Sequence, residues 1–166
     1  MLDIFKKAKE DKYAIGAFNI SNLEQAKAIV GAAQKLKSPV IISTSEGESK
    51  FVGKKQARAI VDAFKEETGL PIFLHLDHGK SLEDIKKAIE AGYDSIHFDG
   101  SKLDFEENIE KTKEIVKFAK EKGGFIISND RFKDHYNDFG KEWIKNKRIT
   151  FTFIEDNVYF DKIHNH

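Results

Sequence analysis

The sequence predicts an α/β fold, with alternating βα units around a mostly parallel sheet. Three observations carry that reading. Short apolar runs alternate with stretches of helical spacing, glycine or proline marks the joins, and Ser/Glu or Ser/Asp pairs stand where helices would begin. Units of this kind favour parallel neighbours joined by right-handed crossovers.

The elements follow in order. Ala14 to Ile20 reads as a first strand, and Ser21 with Glu24 three residues later predicts a capping box. Leu23, Ala26, Ile29, Val30, Ala33 and Leu36 then recur on one helix face. Pro39 to Ser45 is a second strand, entered through a proline that a helix interior would reject. Lys54 to Glu67 is helical, with Ala57, Ile60, Val61 and Phe64 on one side and Gly69 placed to end it. Pro71 to His78 is the third strand. Ser81 caps a helix running to Ala91 and stopping at Gly92. Asp94 to Asp99 is the fourth strand, and Phe105 to Lys122 the fourth helix. Beyond them come a strand at Phe125 to Ser128, a helical stretch through Trp143 and Ile144, and a strand at Ile149 to Ile154. Phe151 and Phe153 alternate with threonines there and are expected to pack inward.

Six strand candidates do not make a closed eight-stranded barrel, which also takes about 250 residues; this chain has 166. The expectation is one α/β domain over 1–166, open or half-built, with a sheet edge that a second copy could cover.

Composition excludes several classes. Hydrophobic residues are 40% and charged residues 34%, against only 11 glycines and 2 prolines, which is neither a disordered nor a fibrous chain. The 28 basic residues cancel 28 acidic ones, so charge gives no support for nucleic acid or an anionic membrane. The absence of cysteine removes disulfides, thiolate nucleophiles and Cys-based metal sites. The apolar runs are strand-sized, and Met1-Leu-Asp-Ile-Phe-Lys-Lys is charged where a leader would be apolar, so a cytoplasmic location is expected.

The average hides a seam. Ten of the aromatic residues fall in 1–123 and nine in the much shorter 124–166, while both parts stay electrically neutral. That step marks a junction at Gly123-Gly124.

In parallel α/β sheets, reactive groups gather at the C-terminal ends of strands, where loops are held by a rigid scaffold. Those ends are Phe18-Asn19, Ser43 to Glu46, Asp77-His78, Asp99 to Ser101 and Ser128 to Asp130. A structural reading stands beside each: Asn19 and Ser45 can close turns, and Asp99 and Asp130 can cap the helices that follow. Asp77-His78 is the sharpest signal, because imidazole ligates zinc and an adjacent carboxylate can act as a base. His75 shares the pleat face of Asp77, whereas His78 alternates to the other. His97 is expected to be a half-buried structural histidine, and His164 and His166 part of a frayed end. If the fourth and fifth strands are neighbours, Asp99 and Asp130 would converge, with Asp77 nearby, on a hard cation such as Mg²⁺ or Mn²⁺.

Two resemblances sharpen these readings. Ala14-Ile-Gly-Ala-Phe-Asn, Ser38-Pro-Val-Ile-Ile-Ser-Thr-Ser-Glu-Gly, Leu74-His-Leu-Asp-His-Gly and His97-Phe-Asp-Gly-Ser, in that order, resemble class II (zinc-dependent) fructose-bisphosphate aldolases over about 1–123. The resemblance implies four βα units of a partial TIM barrel and a sugar-phosphate ligand. It implies His78 as a zinc ligand, Asp77 as the residue that moves the proton, and Asn19 and Ser45 as substrate contacts. The family's later zinc-binding histidines and phosphate loops have no counterpart after residue 123.

Residues 124–166 are similar to something else. Phe125-Ile-Ile-Ser-Asn-Asp-Arg-Phe-Lys-Asp134 and Arg148 to Asp156 resemble the end of Zc3h12a-like NYN/PIN ribonucleases. That implies a PIN-like βαβ segment and Asp130 as one carboxylate of a Mg²⁺-holding catalytic cluster. Together the two resemblances predict a chimeric scaffold, mainly aldolase-derived and without full aldolase activity. Its alternatives are a residual metal-dependent lyase and a metal-dependent ribonuclease. The cofactor would be zinc, Mg²⁺ or Mn²⁺, or none.

Overall fold

A computed structural model describes residues 1–127, Lys133, 136–149, 151–154 and 157–160, without the side chains of Leu2, Ile126 and 151–160. It divides into two compact units, Met1–Ile109 and Glu110–His166.

The first unit is built on a parallel sheet of four strands in sequence order: β1 (Gly16–Asn19), β2 (Val40–Ser45), β3 (Ile72–Gly79) and β4 (Ser95–Phe98). Register runs directly across it, with Phe18 beside Ile42 and Ser43 beside His75. The crossovers are helices α2 (Leu23–Leu36), α4 (Lys54–Thr68) and α5 (Leu82–Glu90), preceded in the chain by α1 (Leu2–Glu10). A shorter helix, α3 (Glu46–Val52), leaves the tip of β2 before α4 begins. The α/β class and the parallel sheet agree with the sequence reading, and the sheet is not closed.

The core explains why the strands read as apolar runs rather than as strict alternation. Ile42, Ile72, Leu74 and Leu76 are completely buried, and Ala26, Val30, Ala57, Val61, Ile85 and Ala88 answer them from the helices. Along β3 the character changes with height. Ile72, Phe73 and Leu74 are all buried at the base, whereas Asp77 and His78 near the top are increasingly exposed. The apolar base makes the sheet rigid, and its polar rim inherits that rigidity.

Three polar contacts knit the layers around this core. Lys54 Nζ donates to Asp84 Oδ1 at 2.8 Å and to Ser49 Oγ at 2.9 Å, with both ends of the ion pair largely buried. The buried Thr44 hydroxyl and Tyr93 hydroxyl share a 2.9 Å hydrogen bond, which meets the need of each inside an apolar layer.

Some expected boundaries shift. The cap of α2 is Asn22, whose side chain accepts from Gln25 N–H, while Gln25 accepts from Ser21 N–H; the Ser21–Glu24 box is not formed. Ser81 caps α5 as expected, and Gly69 ends α4 with φ +67°, a left-handed conformation that suits glycine. Helices α1 and α3 were not anticipated.

In the second unit, α6 (Phe105–Glu121), which begins in the first, leads to β5 (Ile126–Ile127), α7 (Tyr136–Phe139), α8 (Lys141–Lys147), β6 (Arg148–Ile149), β7 (Phe151–Ile154) and β8 (Asn157–Phe160). Here two expectations are corrected. Strand β5 pairs in parallel with β6 rather than with a strand of the four-stranded sheet, and Phe125 beside it is 38% exposed. The strand expected at Ile149 to Ile154 is two elements, and β7 forms an antiparallel hairpin with the unanticipated β8. Val116, Phe139 and Ile144 form a buried cluster with Tyr136 and Trp143 packed against it. The inward packing expected of Phe151 and Phe153 lies outside the described residues, as do Ser128, Asn129, Asp130, His164 and His166.

Candidate metal and ligand site

The C-terminal rim of the four-stranded sheet gathers Asn19 from the end of β1, Ser45 from β2, Asp77 and His78 from β3, and His97 from β4. What brings the last three together is an irregularity in β3. Its pairing with β4 slips between Leu76 and Gly79, and His78 adopts φ +50°. A bulge re-aims side chains that simple alternation would send to opposite faces. His78, expected across the pleat from Asp77, therefore turns back toward it. Gly79 permits the close approach of the two strands there: a Cβ on it would lie 2.9 Å from Leu76 Cδ2 and 3.2 Å from the His97 carbonyl.

The result is a cluster in which one donor atom each from Asp77, His78 and His97 lies within 4.8 Å of the others. Asp77 Oδ1 is 3.9 Å from His78 Nε2 and 4.0 Å from His97 Nδ1, and the two imidazoles meet edge to face with centroids 5.0 Å apart. His97, expected to be half-buried and structural, is exposed and faces this cluster. Only its closeness to Asp77, which sequence spacing does not reveal, gives it that position.

Asp99 plays a different part from the two expected of it. Its Oδ1 accepts from Ser101 N–H at 3.1 Å, closing a turn, and Asp104 caps α6 in its place by accepting from Glu107 N–H. Its Oδ2 lies 2.8 Å from His78 Nδ1. Ser101 and then His78 hold the Asp99 carboxyl well below the usual carboxylate range, so it is the acceptor and Nδ1–H the donor. In the neutral imidazole this places the free lone pair of His78 on Nε2, the atom facing Asp77. A carboxylate behind an imidazole in this way fixes the orientation of the ring. With β5 hydrogen-bonded to β6, the neighbouring-strand premise for Asp99 beside Asp130 is not met.

On the other side of Asp77, Asn19 Nδ2 donates to Asp77 Oδ2 and to Glu48 Oε2, each at 3.2 Å. Glu48 was not anticipated. It forms a true capping box with Ser45: Ser45 Oγ accepts from Glu48 N–H at 3.2 Å and Glu48 Oε2 accepts from Ser45 N–H at 2.7 Å. Ser21 Oγ adds a third donor at 3.3 Å. Burial pushes the Glu48 carboxyl up, but these donors outweigh it and hold it below its ordinary value. A Ser at the strand end with Glu three residues later was the available signal. The half-buried His75 Nδ1 pairs with Ser95 Oγ at 2.8 Å, and burial keeps its imidazole below the usual histidine range.

A family model described as fructose-bisphosphate aldolase class-II matches residues 1–126, and one described as a Zc3h12a-like ribonuclease NYN domain matches 94–166. Fructose-bisphosphate aldolase of Mycoplasma pneumoniae is 48% identical over 119 residues, covering 69% of this chain and 40% of the relative. That of Thermus caldophilus is 43% identical over 118 residues, covering 71% and 38%. The 6-phospho-5-dehydro-2-deoxy-D-gluconate aldolase of Shouchella clausii is 45% identical over 122 residues, covering 72% and 42%. The chain thus spans about two fifths of the length of these relatives. Among solved structures, the YdjI aldolase of Escherichia coli K12 superposes with a TM-score of 0.65 at 34% identity, over 76% of this chain and 49% of that one. A putative fructose-1,6-bisphosphate aldolase of Coccidioides immitis gives 0.67 at 30% identity, with the same coverage.

Proposed function

We propose that this chain, which belongs to the fructose-bisphosphate aldolase class-II family, is an aldolase-derived scaffold that binds a divalent metal ion and a sugar phosphate at its sheet rim without full lyase turnover. The observation that supports it is the Asp77–His78–His97 donor set.

The donors fit zinc in kind. Two imidazoles and a carboxylate are common zinc ligands, and three protein ligands leave a fourth position open. They fit in size after a small contraction: ligand atoms of a tetrahedral zinc site stand about 3.4 Å apart, and the cluster's closest contacts are 3.9 and 4.0 Å. Zinc held there would supply Lewis acidity toward a carbonyl oxygen.

Reduced turnover follows from how Asp77 is employed. Engaged as a ligand through Oδ1, it would keep only Oδ2 for a proton, and one of the two lone pairs there already accepts from Asn19. A general base needs a free lone pair within reach of the proton it takes. Metal ligation and proton transfer therefore compete for one side chain.

Metal content and cleavage of fructose 1,6-bisphosphate, measured on one preparation, test the reading. The expected result is about one zinc per chain in wild type, loss of it in both His78→Ala and His97→Ala, and turnover far below the roughly 10 per second of an ordinary enzyme. Zinc retained by both variants would overturn the metal assignment, and cleavage at ordinary enzymic rates would overturn the rest. The composition step at 123–124 and the second family match support a chimeric origin for the chain. That match alone supports the alternative of a Mg²⁺- or Mn²⁺-dependent ribonuclease centred on Asp130.

A further inference from the structure

We propose that Glu48 is a positioning residue that turns the Asn19 side chain into a pure hydrogen-bond acceptor, so that the rim selects a ligand hydroxyl group. This deepens the proposed function and rests on ligand binding at the same rim.

The argument is one of donor count. A carboxamide has two N–H donors on nitrogen and one carbonyl oxygen. Asn19 Nδ2 lies 3.2 Å from Glu48 Oε2 and 3.2 Å from Asp77 Oδ2, so both of its hydrogens are committed to carboxylates. The orientation is forced, because the flipped amide would set its oxygen against two anionic oxygens. What remains is the Asn19 carbonyl, which has no partner among the described residues, on a side chain that is exposed at the rim. An acceptor of that kind receives a hydrogen from a ligand hydroxyl and repels a phosphate or carboxylate oxygen.

Glu48 is the anchor of this arrangement. Its carboxylate is held from three sides by Ser45 N–H, Ser21 Oγ and Asn19 Nδ2, and its place in the first turn of α3 fixes it to the tip of β2. Asp77 alone would occupy only one of the two amide hydrogens. Without Glu48 the other is free to donate, and the amide can rotate to offer either face.

The probes are dihydroxyacetone phosphate and acetol phosphate, the same molecule without its free hydroxyl, each titrated by calorimetry into the zinc-loaded full chain. Wild type is expected to prefer dihydroxyacetone phosphate about tenfold, roughly one good hydrogen bond. Glu48→Ala should bring the ratio within about twofold. Glu48→Gln keeps an oxygen facing Asn19 and an amide that Ser21 Oγ can accept from, so it should restore the preference. Asn19→Ala changes an exposed residue outside the capping box, and should lose the preference even if Glu48→Ala folds poorly; the double variant should add nothing further. Independently of any ligand, the Asn19 side-chain amide protons should exchange slowly in wild type and Glu48→Gln and fast in Glu48→Ala. A capping role for Glu48 alone would lower stability but leave the ligand ratio and Asn19 exchange unchanged, and that result overturns the proposal. Equal affinity of wild type for the two probes also overturns it. Failure to bind zinc would instead count against the proposed function, while the exchange experiment still decides this one.

Discussion

His78 holds a left-handed backbone conformation, φ +50°, that costs a residue bearing a Cβ about 1 kcal/mol and costs glycine almost nothing. That strain is useful, since it aims the imidazole at Asp77. It can be read out by comparing His78→Gly with His78→Ala, both of which lose the ring and its bond to Asp99. The glycine variant is expected to be about 1 kcal/mol more stable in urea unfolding. Equal midpoints would mean that the backbone relaxes and stores nothing. A second residue gives a pH signature. Burial holds the folded His75 below the unfolded value of about 6.5, so the unfolded chain binds the proton more readily. Its contribution to stability is present in full above that value and is lost as pH falls through the folded pKa. The fall in stability between pH 8 and pH 5 should be smaller in His75→Asn than in wild type. Lys54 and Asp84 offer the largest single effect. Lys54→Met leaves the largely buried Asp84 carboxylate without its counter-ion and is expected to cost about 3–5 kcal/mol, measured by denaturant titration.

At the level of elements, helix starts depend on single side chains. Ser81 Oγ accepts from Asp84 N–H at 3.1 Å, so Ser81→Ala should cost about 1 kcal/mol, visible as a lower urea midpoint. This cap was legible because it precedes a clear amphipathic run. The four parallel strands were legible for a related reason: at the base of the sheet both faces are covered, so Val40–Ile42 and Ile72–Leu74 stay apolar without a break. Helix α3 was not, since Glu46-Gly47-Glu48 places glycine and charge where an apolar stripe would reveal a helix. The site was legible in part for a different reason. Asn19, Ser45, Asp77 and His78 stand at strand ends, where order along the chain predicts proximity in a parallel sheet. Glu48 and His97 needed the third dimension. Period-two alternation does not survive the slip between Leu76 and Gly79, and that slip decides which side chains face Asp77.

Across the whole molecule, burial is unevenly shared. The unit Met1–Ile109 holds Ile20, Ile42, Val61, Ile72, Leu74, Leu76 and Ile85 at essentially no exposure. Among the described residues of Glu110–His166, the buried cluster is Val116, Phe139 and Ile144, and Ile127 is left 56% exposed. A smaller unit buries a smaller fraction of its surface and approaches the margin at which folding entropy is no longer outweighed. Among the described residues, this unit has two sheets of two strands each, close to the least that is stable in water. The sequence contains one tryptophan, Trp143, which packs against that cluster with Lys120 Nζ 5.4 Å from its ring centre. Its fluorescence therefore reports on the second unit alone, whereas far-UV circular dichroism is dominated by the helices of the first. In a urea titration the Trp143 transition should come at lower denaturant and with a smaller slope than the dichroism transition, because less surface is exposed when the smaller unit opens. Superimposable curves would mean a single cooperative unit. In that case the slope should match the surface of the whole chain, and Phe139→Ala should shift both transitions together rather than the fluorescence transition alone.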